Sequence, residues 1–291
     1  MVIIVGEILG AKKDIVKMSA KTANLINMIS PKKCLLSSLA ALSLLGMPLS
    51  STAQTGSATE AKVQPKIEPQ AIAILRAMGE RLAATGSLKF TAVTTYESPS
   101  RIGPPLLYST TSEVTLQRPN KLRVITPGDG PATAFYYDGR TITAYSAKEN
   151  LVAVSEAPAT LDAALKKAYD SAAIYFPFTD VVVSDPYRDI AEGLKLAFVM
   201  GQSKVVGETT TDIVVIANDQ VFAQIWIGVE DKLPRRIRAI YRDDPSRLRH
   251  QVEFQNWQLD IPIPADTFTS SEAEGARSIP FARPEPTINK P

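Results

Sequence analysis

The feature that most constrains the fold is an Asp-Gly pair, Asp138-Gly139, which stands between aromatic and β-branched residues at the centre of residues 135–146. Such a pair is among the strongest local signals for a β-hairpin, because glycine accepts the positive φ angle that a two-residue type I′ turn requires. Alternate side chains of a strand point to the same face of the sheet. The residues that this alternation places together are Phe135, Tyr137, Ile142 and Ala144.

Short alternating runs of the same kind recur along the chain and predict further antiparallel strands, separated by turn residues at regular spacing. Two segments have helical periodicity instead, residues 70–85 and residues 161–174, and Thr160 can cap the second. A short helical turn is expected after Pro186. The fold class is therefore α+β, with a meander of strands that forms a sandwich, a barrel or a strongly curved sheet.

Residues 1–53 have the layout of a secretory signal peptide. Lys32-Lys33 precede an apolar run at residues 35–49, and small residues at positions 51 and 53 predict cleavage before Gln54. The apolar run is shorter than the about 20 residues of a membrane-spanning helix, although an uncleaved anchor is the alternative. Because the run begins late, Met18 and Met28 are alternative start positions. We expect an exported, periplasmic protein.

Charge and cysteine content exclude several classes of partner and chemistry. The chain carries a net charge of +2, but residues 1–53 hold six lysines against two carboxylates, so the remainder carries −2. A nearly neutral chain gives no electrostatic reason to bind nucleic acid. The one cysteine, Cys34, precedes the apolar run, so we expect no lipid anchor on it. The exported protein would then have no disulfide, thiolate nucleophile or thiolate metal site.

The exported part is predicted to be one domain. Residues 54–68 are rich in Ser, Thr, Ala, Gln and Pro and predict a flexible leader, and the proline-rich residues 283–291 predict a disordered tail. No segment between them has the composition of an interdomain linker, so residues 69–282 are expected to form a single domain.

The sequence carries no catalytic or metal-binding pattern. His250 is the single histidine and lies in a predicted strand, which favours a structural or surface role. Ser203 follows Gly201, but the closing glycine of a nucleophile elbow is missing. Asp180, Asp185 and Asp189 lie in a helix–loop segment, where helix caps and solvated loops explain them better than a calcium site does. We therefore expect no enzyme activity, no cofactor and no bound metal.

Several predicted strands are apolar on both faces, as at residues 196–199 and 213–217. Both faces of such a sheet must be covered, and the two predicted helices can cover one of them. A curved sheet that wraps around helices leaves a mouth between sheet and helix, where a hydrophobic ligand could bind. A fully packed core without a cavity is the alternative.

Two stretches resemble the lipoprotein-carrier superfamily of LolA and LolB. They are Leu-Gln-Arg-Pro-Asn-Lys-Leu-Arg-Val at residues 116–124 and Tyr-Asp-Gly-Arg-Thr-Ile-Thr-Ala-Tyr at residues 137–145. The superfamily shares a Pro-x-Lys-hydrophobic-Arg step followed by an Asp-Gly-Lys/Arg hairpin, and residues 224–236 resemble its later hairpin. Within it, the chain is similar to a family of predicted periplasmic proteins known as domain of unknown function 2092, whose Ile-Leu-x-x-Met helix motif is matched at residues 74–78. The chain departs from that family where Ile213, and not a histidine, follows Asp212.

The resemblance implies a strongly curved antiparallel half-barrel with covering helices on the concave side, where acyl chains are held. It implies no enzyme chemistry and no cofactor. The expected ligand is a lipid or another hydrophobic molecule, and a membrane-associated protein partner is a further expectation. We expect a monomer. Strand alternation predicts which side chains face the helices and line the ligand cavity: Phe90, Ala92, Tyr137, Ile142, Phe198, Ile225, Ile237 and Phe254.

Two other functions remain open on the sequence. A periplasmic protein–protein interaction module with a filled core is the second hypothesis, and an enzyme is the third. A dry apolar cavity would favour the carrier, a polar cluster inside the cavity would favour the enzyme, and an exposed apolar patch over a filled core would favour the module.

Overall fold

The computed structural model describes residues 67–127 and 132–283, which belong to one compact unit. The strands are β1 (Ser87–Ser98), β2 (Leu106–Gln117), β3 (Lys121–Thr126), β4 (Thr133–Tyr137), β5 (Thr141–Ser146), β6 (Leu151–Glu156), β7 (Leu196–Ser203), β8 (Thr211–Ala217), β9 (Val221–Gly228), β10 (Pro234–Tyr241), β11 (Arg249–Leu259) and β12 (Arg277–Ile279). The helices are α1 (Pro69–Ala84), α2 (Leu161–Ala172), α3 (Thr179–Val182), α4 (Pro186–Ala191), a 3-10 helix (Ala265–Phe268) and α5 (Ser271–Glu274).

Within the described ranges, all twelve strands form one sheet in the order β12-β6-β5-β4-β3-β2-β1-β11-β10-β9-β8-β7. Every neighbouring pair is antiparallel except β12 with β6, at one edge of the sheet, which is parallel. The long antiparallel meander that the alternating sequence predicts is therefore confirmed.

The predicted hairpin is present, but its turn differs from the prediction. β4 and β5 are joined by three residues, and among these only Gly139 has a positive φ angle, of 97°. A type I′ turn has positive φ angles at both of its central residues, so the prediction of a two-residue type I′ turn is wrong. The carboxylate of Asp138 accepts hydrogen bonds from the backbone amides of Arg140 and Thr141 at 2.8 and 2.7 Å, which stabilises the turn that forms instead. Glycine is also needed for space, since a Cβ atom at position 139 would lie 2.6 Å from the side-chain nitrogen of Asn120.

The predicted helices are also confirmed. α1 begins at Pro69, where proline's missing amide costs nothing, and it buries one stripe of apolar residues. α2 begins after Thr160, whose hydroxyl accepts a hydrogen bond from the amide of Ala163 at 3.4 Å. α4 follows Asp185, whose carboxylate caps it through the amide of Arg188 at 3.0 Å. No helix in the described ranges is long and apolar enough to span a membrane.

The sheet curves around α1 and α2. Buried side chains of both helices form one core cluster with residues that run from Ile142 on β5 to Val214 on β8, a span of nine strands in sheet order. Nine flat strands would extend over about 40 Å, whereas two helices side by side cover only about 20 Å. One shared core therefore requires a strongly curved sheet with the helices on its concave side, which confirms the predicted half-barrel. We call this concave side the inner face.

Two phenylalanines that follow α2 complete the core. The ring of Phe178 lies 5.6 Å from that of Phe90, edge to face, and the ring of Phe176 lies 5.1 Å from that of Phe135. Phe90 also contacts Trp257 at 4.6 Å. Aromatic pairs in such geometries contribute about 0.5–1.5 kcal/mol beyond the area that they bury. The connection between α2 and α3 is thus fixed to the middle of the sheet.

The ends of the domain lie against the edges of the sheet. The predicted signal peptide and most of the predicted leader and tail lie outside the described residues. The last leader residues are bound to the edge strand β7, because the amide of Glu68 donates to the carbonyl of Ala197 at 2.8 Å and the Glu68 carboxylate accepts from the amide of Val199 at 3.1 Å. At the other edge β12 pairs with β6. That residues 69–282 form a single domain stays a prediction.

Candidate functional site

Seven of the eight residues predicted to line a cavity lie together on the inner face. The register pairs Ala92 with Phe254 across β1 and β11, Tyr137 with Ile142 across β4 and β5, and Ile237 with Ile225 across β10 and β9. Phe90 shares this face because it stands two residues before Ala92 on β1. These seven side chains therefore share one face of the sheet, and that they line a ligand cavity stays a prediction.

Phe198 is the exception, and its predicted orientation is wrong. Its backbone pairs with Val215, whereas its neighbour Ala197 pairs with Ile216 and belongs to the core. Phe198 therefore points to the outer face. Alternation could not reveal this, because β7 and β8 carry apolar residues on both faces and each parity fits the sequence equally well.

The seven residues differ in what surrounds them. Six are buried in the core beneath the helices and the aromatic cluster: Phe90, Ala92, Tyr137, Ile142, Ile225 and Phe254. Tyr137 has in addition a hydrogen bond from its hydroxyl to the carbonyl of Pro158 at 2.6 Å. In this arrangement a ligand could reach them only if helices moved away. Ile237 is half-buried at the margin of the core.

The inner face becomes accessible towards one end of the strands. Along β1 the inner-face residues are buried from Leu88 to Thr94 and half-buried at Tyr96. Along β10 the inner-face residues Ile237, Ala239 and Tyr241 are all half-buried. We call this end of the sheet, which carries the β1–β2 and β10–β11 connections, the open end. The helices therefore cover the inner face completely at one end of the strands and only partly at the other.

The open end brings one group of side chains on the sheet together with the segment that follows α2, and we call this group the recess. We define it by the inner-face residues Ile237, Ala239, Tyr241 and His250 and by Tyr175 opposite them. The Tyr241 and His250 rings are in edge contact at 5.3 Å. Ile174 and Phe176, which flank Tyr175, pack against the margin of the core. The recess thus has apolar side chains at its base and phenols at its rim.

The phenols at the rim are electrostatically perturbed. Desolvation by the surrounding protein, then the neighbouring Tyr241 and Asp180, raise the pKa of Tyr175 well above its ordinary value. The side chain of Tyr175 is nevertheless 41% exposed. Tyr175 therefore packs against the surrounding protein and still contacts solvent. Tyr175 and Tyr241 lie close enough for each to shift the pKa of the other.

Two carboxyl groups lie near this pair. Desolvation and the charge of Asp189 raise the pKa of Asp180. Desolvation is also the first cause that raises the pKa of Asp189, against the lowering effect of Arg188. The rim therefore disfavours additional negative charge and offers phenol hydroxyls and carboxyl groups as hydrogen-bonding partners.

The other polar residues that the sequence singled out have local structural roles. Asp185 caps α4, and the Ser203 hydroxyl accepts a hydrogen bond from the amide of Val205 at 3.2 Å inside the β7–β8 connection. Within residues 67–127 and 132–283, no group of three or more His, Cys, Asp or Glu side chains is placed to hold a metal ion.

Sequence reasoning missed the phenol pair at the rim. Tyr241 could have been found, since it continues the alternation of Ile237 and Ala239 along β10. Tyr175 could not, because it follows the end of α2 in an irregular segment whose direction depends on Phe176 and Phe178 in the core.

Comparison with known families identifies the relatives of the chain. The profile of a family described as predicted periplasmic protein (DUF2092) matches residues 71–282, from α1 to the end of the described chain. The protein belongs to the DUF2092 family. This match confirms two predictions from the sequence, the resemblance to this family and the periplasmic localisation. The DUF2092 region contains the inner face and every residue of the recess. A comparison with curated proteins gave no match.

Among solved structures, three proteins are similar to this DUF2092 chain. The lipoprotein LppX of Mycobacterium tuberculosis has 13% identity and a TM-score of 0.43, over 69% of this chain and 100% of that one. LprF of Mycobacterium bovis has 15% identity and a TM-score of 0.43, over 68% and 97%. MucB, in the MucA/MucB complex of Pseudomonas aeruginosa, has 14% identity and a TM-score of 0.40, over 70% and 62%. Likenesses of this degree carry no information about a ligand.

Proposed function

We propose that this protein is a periplasmic binding protein that holds a lipid or another hydrophobic ligand in the recess. The observation that carries the proposal is the change along the inner face, from a closed core to half-buried apolar side chains topped by phenols. Membership of the DUF2092 family supports the compartment, and the half-barrel supports a concave site. The protein acts by binding and not by catalysis.

The chemistry of the recess favours an amphipathic ligand. Its base is apolar at Ile237 and Ala239, so it suits an acyl chain or a ring system, which is driven out of water by about 25 cal/mol per Å² of buried apolar surface. The rim carries the hydroxyls of Tyr175 and Tyr241, which suit a polar head group. The proposed site therefore shares only Ile237 with the residues predicted from the sequence.

A matched pair of substitutions on β10 tests the proposal. Ala239→Trp would fill the recess, whereas Ile240→Trp places the same side chain on the opposite face of the same strand. With a fluorescent fatty-acyl probe, we expect Ala239→Trp to weaken binding at least tenfold and Ile240→Trp to leave it unchanged. Circular dichroism establishes that both variants are folded. A wild-type protein that binds no probe, or two variants that bind equally well, would overturn the proposal.

One observation favours a second function, the periplasmic interaction module. Six of the eight predicted cavity residues are packed core, as the filled-core hypothesis expects. The same probe experiment separates the two functions, since a module with a filled core binds no probe in either variant or in the wild type.

A further inference from the structure

The β1–β2 hairpin extends beyond both of its neighbours in the sheet. β1 and β2 pair from Ser87–Gln117 as far as Ser98–Leu106. In contrast, β11 pairs with β1 only as far as Tyr96, and β3 pairs with β2 only from Glu113 onwards. We call residues 97–112 at the open end the finger; all of it extends past β3, and residues 97–107 extend past β11 as well. A two-stranded ribbon is marginally stable by itself, so a protruding one calls for a functional reason.

The tip of the finger is apolar and exposed. Ile102 is 99% exposed and Leu107 is 67% exposed, and Leu106 and Tyr108 are exposed as well. Within the loop, the Ser100 hydroxyl accepts hydrogen bonds from the amides of Ile102 and Gly103 at 3.3 and 2.9 Å. A contiguous apolar patch that is presented to solvent in this way marks an interaction site.

The distribution of these side chains favours a fluid lipid layer over a flat protein surface. Leu107 lies on the outer face of the ribbon, Leu106 and Tyr108 lie on its inner face, and Ile102 lies at its end. The apolar surface therefore surrounds the tip, as insertion into a bilayer requires. A complementary protein surface would need to enclose the tip from all sides.

Charge and composition point to the same partner. The finger has two charged residues, Glu97 at its base, which pairs with Arg249 at 2.8 Å, and Arg101, next to Ile102 at the tip. Behind the apolar tip, Tyr108 stacks on Tyr96 at 5.7 Å, and residues 109–112 are all serine or threonine. An apolar end, a cation and then tyrosines match the interfacial layers of a membrane, whose anionic head groups attract the cation.

We infer that the finger is a membrane anchor, whose tip inserts into the surface of a bilayer that contains anionic lipids. The inference goes beyond the proposed function and does not depend on it. It also has a geometric consequence, since Tyr96 pairs with His250, a residue of the recess. A docked finger would bring the open end of the inner face close to the membrane.

Vesicle flotation tests the anchor, with liposomes of phosphatidylethanolamine and phosphatidylglycerol and the protein purified from the periplasm. We expect the wild type to float with the vesicles. Ile102→Asp and Leu107→Asp should each reduce the partition coefficient about tenfold, since a large apolar side chain contributes at least this much when buried. Arg101→Gln should weaken binding to these vesicles and leave binding to pure phosphatidylcholine vesicles unchanged. Val205→Asp is the matched control, since Val205 is 89% exposed on the β7–β8 connection at the opposite end of the sheet.

Thermal unfolding of each variant should match the wild type, because these side chains are exposed. The inference is overturned if the wild type does not float, or if Ile102→Asp floats as well as the wild type and Val205→Asp. It is also overturned if light scattering shows that the wild type is a dimer that Ile102→Asp dissociates without any vesicle binding. The tip would then bind a second copy of the chain.

Discussion

The contact between α1 and α4 depends on the absence of a side chain at Gly79. A Cβ atom at this position would lie 2.5 Å from the Cβ atom of Tyr187, 2.7 Å from its backbone nitrogen and 2.9 Å from its Cα atom. Carbon atoms prefer separations of about 3.5–4.0 Å, so α4 would have to move away from α1 by about 1 Å. The Arg76 guanidinium, which lies 4.3 Å from the centre of the Tyr187 ring, would lose part of this contact.

Gly79→Ala has two effects of opposite sign on the free energy of unfolding, and the close contact between α1 and α4 decides which of them is larger. Helix propensity alone predicts that alanine stabilises the interior of α1 by about 1 kcal/mol. Overpacking against the backbone of α4 costs about 1–3 kcal/mol, and the widened contact also loses packing below it. We therefore expect Gly79→Ala to lower the free energy of unfolding by about 1–2 kcal/mol, or the melting temperature by about 2–8 °C for a domain of this size.

Urea unfolding followed by circular dichroism measures this difference. Ala73→Gly, at an exposed position of the same helix, is the control for propensity and should cost about 1 kcal/mol. If Gly79→Ala stabilised the protein by the amount that propensity predicts, the close packing of α1 on α4 would be refuted.

Three further predictions concern the core and the rim. The Arg118 guanidinium donates to the carbonyls of Leu82 and Val182, both at 3.3 Å, so Arg118→Met should cost about 1.5–3 kcal/mol in urea unfolding, and an unchanged midpoint would contradict this role. Ile225 is buried in the core, so Ile225→Asp should unfold the protein by circular dichroism, and a folded variant would mean that the inner face is open at this point. Desolvation and Asp189 raise the pKa of Asp180, so the folded state holds this proton more tightly and stability falls as the pH rises from about 3.9 through the raised value. Asp180→Asn should therefore melt at a higher temperature than the wild type at neutral pH and at the same temperature near pH 3, and the reverse order at neutral pH would contradict the assignment.

The sequence was informative wherever one local pattern decides the structure. Asp138-Gly139 between alternating strands predicted the central hairpin, and the spacing of apolar residues predicted α1 and α2. The type of turn was harder to predict, because hydrogen bonds to the side chain of Asp138 stabilise a different backbone conformation from that of the type I′ turn. Phe198 was assigned to the wrong face because β7 and β8 are apolar on both sides.

Features that depend on distant contacts could not be predicted. After β11 the chain crosses the outer face, where Phe268 is buried beside Lys121 and β12 finally pairs with β6. No local pattern in this segment specifies such a path. The position of the recess depends likewise on how far the helices extend over a curved sheet. The sequence identified the inner-face side chains but could not tell which of them the helices cover.

The most direct test of the binding function is native mass spectrometry of the protein purified from its own periplasm. The account predicts a wild-type mass that includes a lipid or another apolar molecule, released by organic solvent, and a bare mass for Ala239→Trp. A bare wild type, or an adduct retained equally by Ala239→Trp and Ile240→Trp, would contradict a ligand site in the recess.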